Sequence, residues 1–137
     1  MIWCNVKIIL DTNIYLSALG SRGKLLDLVE SCINSKDIQV FFGSKTMLEL
    51  EEKLLGERFN KITKNQIVLS DINQFLSQIK TDSRTIESSK NFDLCRDLRD
   101  NIILDLAFEV KADYIITGDE DLIILKEFEG TKIMKPS

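Results

Sequence analysis

Apolar positions along this chain switch between two periods. Val6-Lys7-Ile8-Ile9-Leu10 is a short apolar run that stops abruptly in Asp11-Thr12-Asn13, the pattern of a buried strand meeting a turn. Ile14 to Leu19 predicts a short helix. After Gly20-Ser21-Arg22-Gly23, the residues Leu25, Leu26, Leu28, Val29, Cys32 and Ile33 recur at helical spacing. Ile38 to Phe42 reads as a second strand. Ser44 is placed to cap a helix striped by Met47, Leu50 and Leu54, and Ile67, Ile72, Phe75, Leu76 and Ile79 mark another between Gln66 and Ile79. The polar stretch Thr81 to Asn91 has room for a short strand at Thr85-Ile86. Asp97 is placed to cap a helix carrying Ile102, Ile103, Leu106, Ala107 and Val110. Tyr114-Ile115-Ile116-Thr117 is a further strand that breaks off in Gly118-Asp119. A short helix through Leu122 to Leu125 and an edge strand at Lys132-Ile133-Met134 complete the pattern.

Apolar strands alternating with helices imply an α/β fold, a mostly parallel sheet covered on both faces. No repeat, low-complexity tract or linker divides residues 1–137, so one domain is expected. In such sheets ligands sit beyond the carboxyl ends of the strands. Asp11 and Asp119 fall at those ends, and Gly118 is expected to free the turn that aims Asp119 across them.

Composition narrows the chemistry. The chain contains no histidine, which removes histidine acid–base catalysis, histidine-dependent nucleophile systems and HExxH zinc sites. Three cysteines, Cys4, Cys32 and Cys95, lie far apart without a CxxC pair and read as reduced thiols, mostly core, in a cytoplasmic protein. No run approaches the roughly 18 uninterrupted apolar residues of a membrane helix, and Met1 to Leu10 lacks a signal-peptide cleavage pattern. The net charge of −4 is the reverse of a broad basic face for nucleic acid. Either nucleic acid is not the ligand, or part of the negative charge is gathered where cations neutralise it.

The acids offer such a gathering. Asp11 and Asp119 each have a simpler reading as a helix cap or turn residue, but two strand-end aspartates in one small sheet repel unless a cation binds. Asp100 falls at the third position of its helix, where the helix dipole favours a carboxylate. Glu49, with Glu51 and Glu52 as competitors, lies off the Met47-Leu50-Leu54 stripe and is the weakest member. Carboxylates converging without histidine or cysteine describe a hard oxygen site suited to Mg²⁺ or Mn²⁺ and to metal-assisted attack of water on a phosphodiester. Without metal, such a cluster is expected to hold a proton near neutral pH.

Ile9-Leu10-Asp11-Thr12-Asn13, the segment Cys95-Arg96-Asp97 to Asn101 running to Ala107, and Ala112-Asp113-Tyr114-Ile115-Ile116-Thr117-Gly118-Asp119-Glu120-Asp121-Leu122 together resemble the PIN domain, in particular the VapC-like toxins of toxin–antitoxin systems. The resemblance covers nearly the whole chain. It implies a three-layer α/β/α sandwich with a five-stranded sheet of order 3-2-1-4-5, and Mg²⁺- or Mn²⁺-dependent cleavage of single-stranded RNA. It implies Asp11, Glu49, Asp100 and Asp119 as catalytic acids, Asp11, Asp100, Asp119 and Asp121 as metal ligands, and Asn13 and Thr117 as polar support. Two departures stand out: Asp97-Leu98-Arg99-Asp100 replaces the usual Asp-Pro-Asp-Asp, and the family serine of the second motif sits one place late, at Ser44.

Arg22, Arg96 and Arg99, with Lys24 and Lys45, fall near loops at the acidic end and are candidate phosphate contacts. Relatives of this kind dimerise and bind a small antitoxin, and the helix Gln66 to Ile79 is a candidate docking face. A rival reading keeps the fold but makes the cluster a non-catalytic module that holds a cation or partner. Phosphoryl transfer through an aspartyl-phosphate is a third, weakened because Asn13 stands where a phosphatase carries its second aspartate.

Overall fold

A computed structural model of the chain describes residues 6–21, 23–56, 59, 69–87 and 98–136, with side chains from residue 100 onward in the last segment. Its strands are β1 (Val6–Leu10), β2 (Ile38–Gly43), β3 (Arg84–Ile86), β4 (Tyr114–Ile116), β5 (Glu127–Phe128) and β6 (Thr131–Met134). Its helices, named here in chain order, are α1 (Thr12–Ser21), α2 (Lys24–Asn34), α3 (Ser44–Leu55), α4 (Leu69–Asp82), α5 (Leu98–Val110) and α6 (Glu120–Ile123). The expected cap Asp97, the positions Gln66 and Ile67, and the thiols Cys4 and Cys95 lie outside the described residues; Cys32 is buried in the core.

The sheet runs β3-β2-β1-β4-β6-β5, parallel except for the β5–β6 pair. Alternation along the strands divides the core into two layers. Ile8, Leu10, Val40 and Phe42 face α1 to α4, while Ile9, Phe41, Ile115 and Ile133 face α5 and α6. The result is an α/β/α sandwich. At the centre of the first layer Tyr15 is fully buried, its ring 4.7 Å from that of Phe42. Its hydroxyl has no hydrogen-bond partner among the described residues, and burial holds the phenol well above its usual range.

Several details depart from the sequence pattern. The sheet has six strands, not five, because Glu127–Phe128 folds back on Thr131–Met134. The two linking residues, Glu129 and Gly130, both take positive φ, 48° and 87°, as the tight hairpin turn that matches strand twist requires. The expected edge strand at Lys132 to Met134 is therefore covered on its outer side, and the implied order is otherwise kept. Ser44 is the first helical residue of α3, not its cap. Gly43 stands at the cap, where Thr46 Oγ1 accepts from the Gly43 N–H at 2.9 Å and donates to the Gly43 carbonyl at 2.8 Å. The α4 stripe of Ile72, Phe75, Leu76 and Ile79 packs into the core.

The C-terminal end of α5 closes on Lys111, which takes φ 55°. The Lys111 N–H donates to the Phe108 carbonyl at 3.3 Å, and the Ala112 N–H donates to that of Ala107 at 3.0 Å. This is a Schellman ending with lysine where glycine is the usual occupant. It turns the chain directly into β4 and so fixes the distance between Asp100, at the far end of α5, and the strand that leads to Asp119. Among the described residues, no helix is long and apolar enough to cross a membrane.

Candidate metal centre

Parallel register brings the acids together. Leu10 lies beside Ile116, and Ile116 beside Met134, so three neighbouring strands end level. One residue further, the Asp11 N–H donates to the Ile116 carbonyl at 3.0 Å and the Thr117 N–H to that of Met134 at 2.9 Å. Asp11 and Thr117 thus stand side by side beyond the sheet, and Thr117 Oγ1 donates to Asp11 Oδ2 at 2.8 Å. The same hydroxyl accepts from the Asp119 N–H at 3.0 Å, and Asp119 Oδ1 accepts from the Asp121 N–H at 2.9 Å, capping α6. A single chain of hydrogen bonds therefore links Asp121, Asp119, Thr117 and Asp11. Gly118 takes no positive φ, and a β-carbon there would meet nothing within 4 Å. The expectation that glycine freedom makes this turn is corrected: the Thr117 hydroxyl makes it.

The other two acids arrive from helices. β2 pairs with β1 so that Ile9 lies beside Phe41, and α3 starts directly from the end of β2 at the same level. Thr46 and Glu49, three residues apart, share one face of α3 and point into the mouth. Asp100 sits in the first turn of α5, where an anion is favoured, and is 3% exposed. Together Asp11, Thr12, Asn13, Thr46, Glu49, Asp100, Ile103 and Asp119 line one cleft of about 20 Å³. By that measure a water needs roughly 10–15 Å³, so the cleft has room for about one water-sized body, such as a small cation.

Among the described residues, Asp100, Asp119 and Asp121 each offer a carboxylate oxygen within 4.8 Å of the others. Asp11 and Glu49 line the same cleft outside that trio. Glu49 Oε1 lies 2.8 Å from Lys53 Nζ one helical turn on, while Glu51 is drawn away to Lys80 on α4. The carboxyl of Asp11 is held above its ordinary 3.8, first by burial and further by the charges of Asp119 and Glu49. The Thr117 hydroxyl and the Asn13 N–H, 3.4 Å from Asp11 Oδ1, work in the opposite sense.

This donor set fits a hard divalent cation: it is entirely oxygen, anionic, and concentrated where a buried carboxylate resists ionising by itself. Mg²⁺ holds few protein ligands and retains waters, which suits three oxygens at an open mouth.

The structure thus brings Asp11, Glu49, Asp100, Asp119 and Asp121 to one place with Asn13 and Thr117. Of the cationic candidates, Arg22 and Arg96 lie outside the described residues, Arg99 falls in the first turn of α5, and Lys24 and Lys45 are exposed at helix starts. Sequence reasoning missed Thr12, Thr46 and Ile103. Thr46 had one signal, its position three residues before Glu49, but threonine at that place in a helix is too ordinary to single out.

Comparison with known proteins adds two findings. A family model described as PIN domain matches residues 7–121. The chain is also 34% identical over 128 residues to an uncharacterized protein of Methanocaldococcus jannaschii, MJ1680, the match covering 89% of this chain and 76% of the relative.

Proposed function

The chain belongs to the PIN-domain family, and from that premise we propose that it is a Mg²⁺- or Mn²⁺-dependent endoribonuclease acting on single-stranded RNA. The observation that carries the proposal is the meeting of the Asp100, Asp119 and Asp121 oxygens within 4.8 Å of one another, two of these acids lining a cleft with Asp11 and Glu49. Asp100, Asp119 and Asp121 would hold the ion, with Asp11 beside them. A divalent ion held there would supply an activated water and neutralise charge developing on the phosphodiester. The protein's own contribution is orientation. Thr117 and the Asn13 N–H fix the two oxygens of Asp11, and the Asp121 N–H fixes one oxygen of Asp119. Glu49 stands at the rim, within reach of a water entering beside the phosphate.

The role as toxin of a toxin–antitoxin pair, with homodimerisation and a small antitoxin as partner, is supported by the likeness of the motifs to VapC-like toxins. The test of the enzymatic reading is cleavage of labelled single-stranded RNAs with Mn²⁺. The wild type is expected to cut, and Asp100→Asn to lose more than about 100-fold, beyond the roughly 10–100-fold typical of losing an outer-shell partner. Equal, background-level cutting by both would favour the rival reading, a PIN-fold module that binds metal or partner without catalysis.

A further inference from the structure

Lys53 is a cation paired with one of the acids that line the mouth. Its Nζ lies 2.8 Å from Glu49 Oε1, and the two side chains are 33% and 25% exposed, so the pair sits at the rim and not in free solvent. Glu49 lines the cleft with Asp11, Asp100 and Asp119, and its charge is felt by Asp11. Yet its oxygens fall outside the trio that lies within 4.8 Å. Successive turns of α3 set Lys53 directly against the carboxylate that Glu49 brings to the mouth.

We propose that Lys53 is a positioning residue that competes with the divalent ion for Glu49, standing in for the cation when the site is empty and so setting its affinity. The inference rests on the metal-site reading above. In the metal-free protein Lys53 offsets one of the negative charges at the mouth. With a divalent ion bound, Glu49 turns inward and the freed ammonium is left at the rim, where it can meet a substrate phosphate as a point charge. An exposed ion pair is weak enough for this exchange, whereas a buried one would lock the site.

The test is calorimetric titration of Mn²⁺ into metal-free, full-length protein, comparing wild type with Lys53→Met, Lys53→Arg, Glu49→Gln and the Lys53→Met/Glu49→Gln double variant. Lys53→Met is expected to bind Mn²⁺ about 2- to 5-fold more tightly, the range that losing an exposed ion pair allows. Lys53→Arg is expected to stay near wild type, and the double variant to bind no more tightly than Glu49→Gln alone. Lys53→Gln replaces the methionine variant if that one does not fold. Unchanged or weaker binding by Lys53→Met overturns the inference while leaving the metal site standing. Equal tightening in the Glu49→Gln background also overturns it, because the lysine would then act only through its general field. No Mn²⁺ binding by the wild type overturns both readings at once.

Discussion

Asp11 carries a conflict built into a single side chain. It is buried at the end of a central strand, where ionisation is costly, yet it accepts from Thr117 Oγ1 and from the Asn13 N–H as an ionised carboxylate does. Burial prevails, and its carboxyl is raised above the ordinary 3.8. The sign follows from linkage. Below 3.8 both folded and unfolded chains hold the proton and nothing is lost. Above it the unfolded chain ionises first, so stability falls as pH rises through the folded value and the loss is then constant. Asp11→Asn is therefore expected to raise the melting temperature of metal-free protein at pH 7.5, with the gain shrinking as pH falls toward 3.8; thermal melts across pH measure it. An equal or lower melting temperature at pH 7.5 would contradict it. Asp11 and Asp119 were legible in the sequence because an acid directly after an apolar run has nowhere to go but the sheet's end. Thr46 was not, and Gly118 was misread, because a glycine beside an acid says nothing about which hydroxyl makes the turn.

The elements show why boundaries were harder to read than identities. β1, β2 and β4 declared themselves by unbroken apolar runs, and α3 and α4 by stripes that the core then used. β5 spans only Glu127–Phe128, too short for any period, and it exists because Glu129 and Gly130 close a turn. The start of α3 was misplaced by one residue because Ser44 is a better cap in isolation than Gly43 with a Thr46 hydroxyl folded back on it. The end of α5 offers a quantitative check at this scale. Lys111 holds φ 55° at a helix ending that favours glycine, a conformation costing an ordinary residue about 1 kcal/mol or somewhat more. Lys111→Gly is expected to stabilise the protein by about 0.5–1 kcal/mol in urea unfolding, net of glycine's greater freedom in the unfolded chain. A loss of stability would show that the lysine side chain holds this corner by contacts of its own.

At the level of the whole molecule, an acidic chain without histidine concentrates carboxylates from separate parts of the sequence at one mouth. The level ends of β1 and β4 supply Asp11, Thr117 and Asp119, and two helices bring Glu49 and Asp100 to the same mouth. Carboxylates gathered at a cation site make a net charge of −4 compatible with the polyanionic substrate proposed above. The fold imposes the repulsion, and in the reading proposed above a divalent cation would relieve it. The most direct measurement is anomalous diffraction from crystals soaked in Mn²⁺. The account expects a peak within bonding distance of Asp100, Asp119 and Asp121, roughly 2.0–2.3 Å from their oxygens. A fully occupied soak with no anomalous density among these three carboxylates would contradict it.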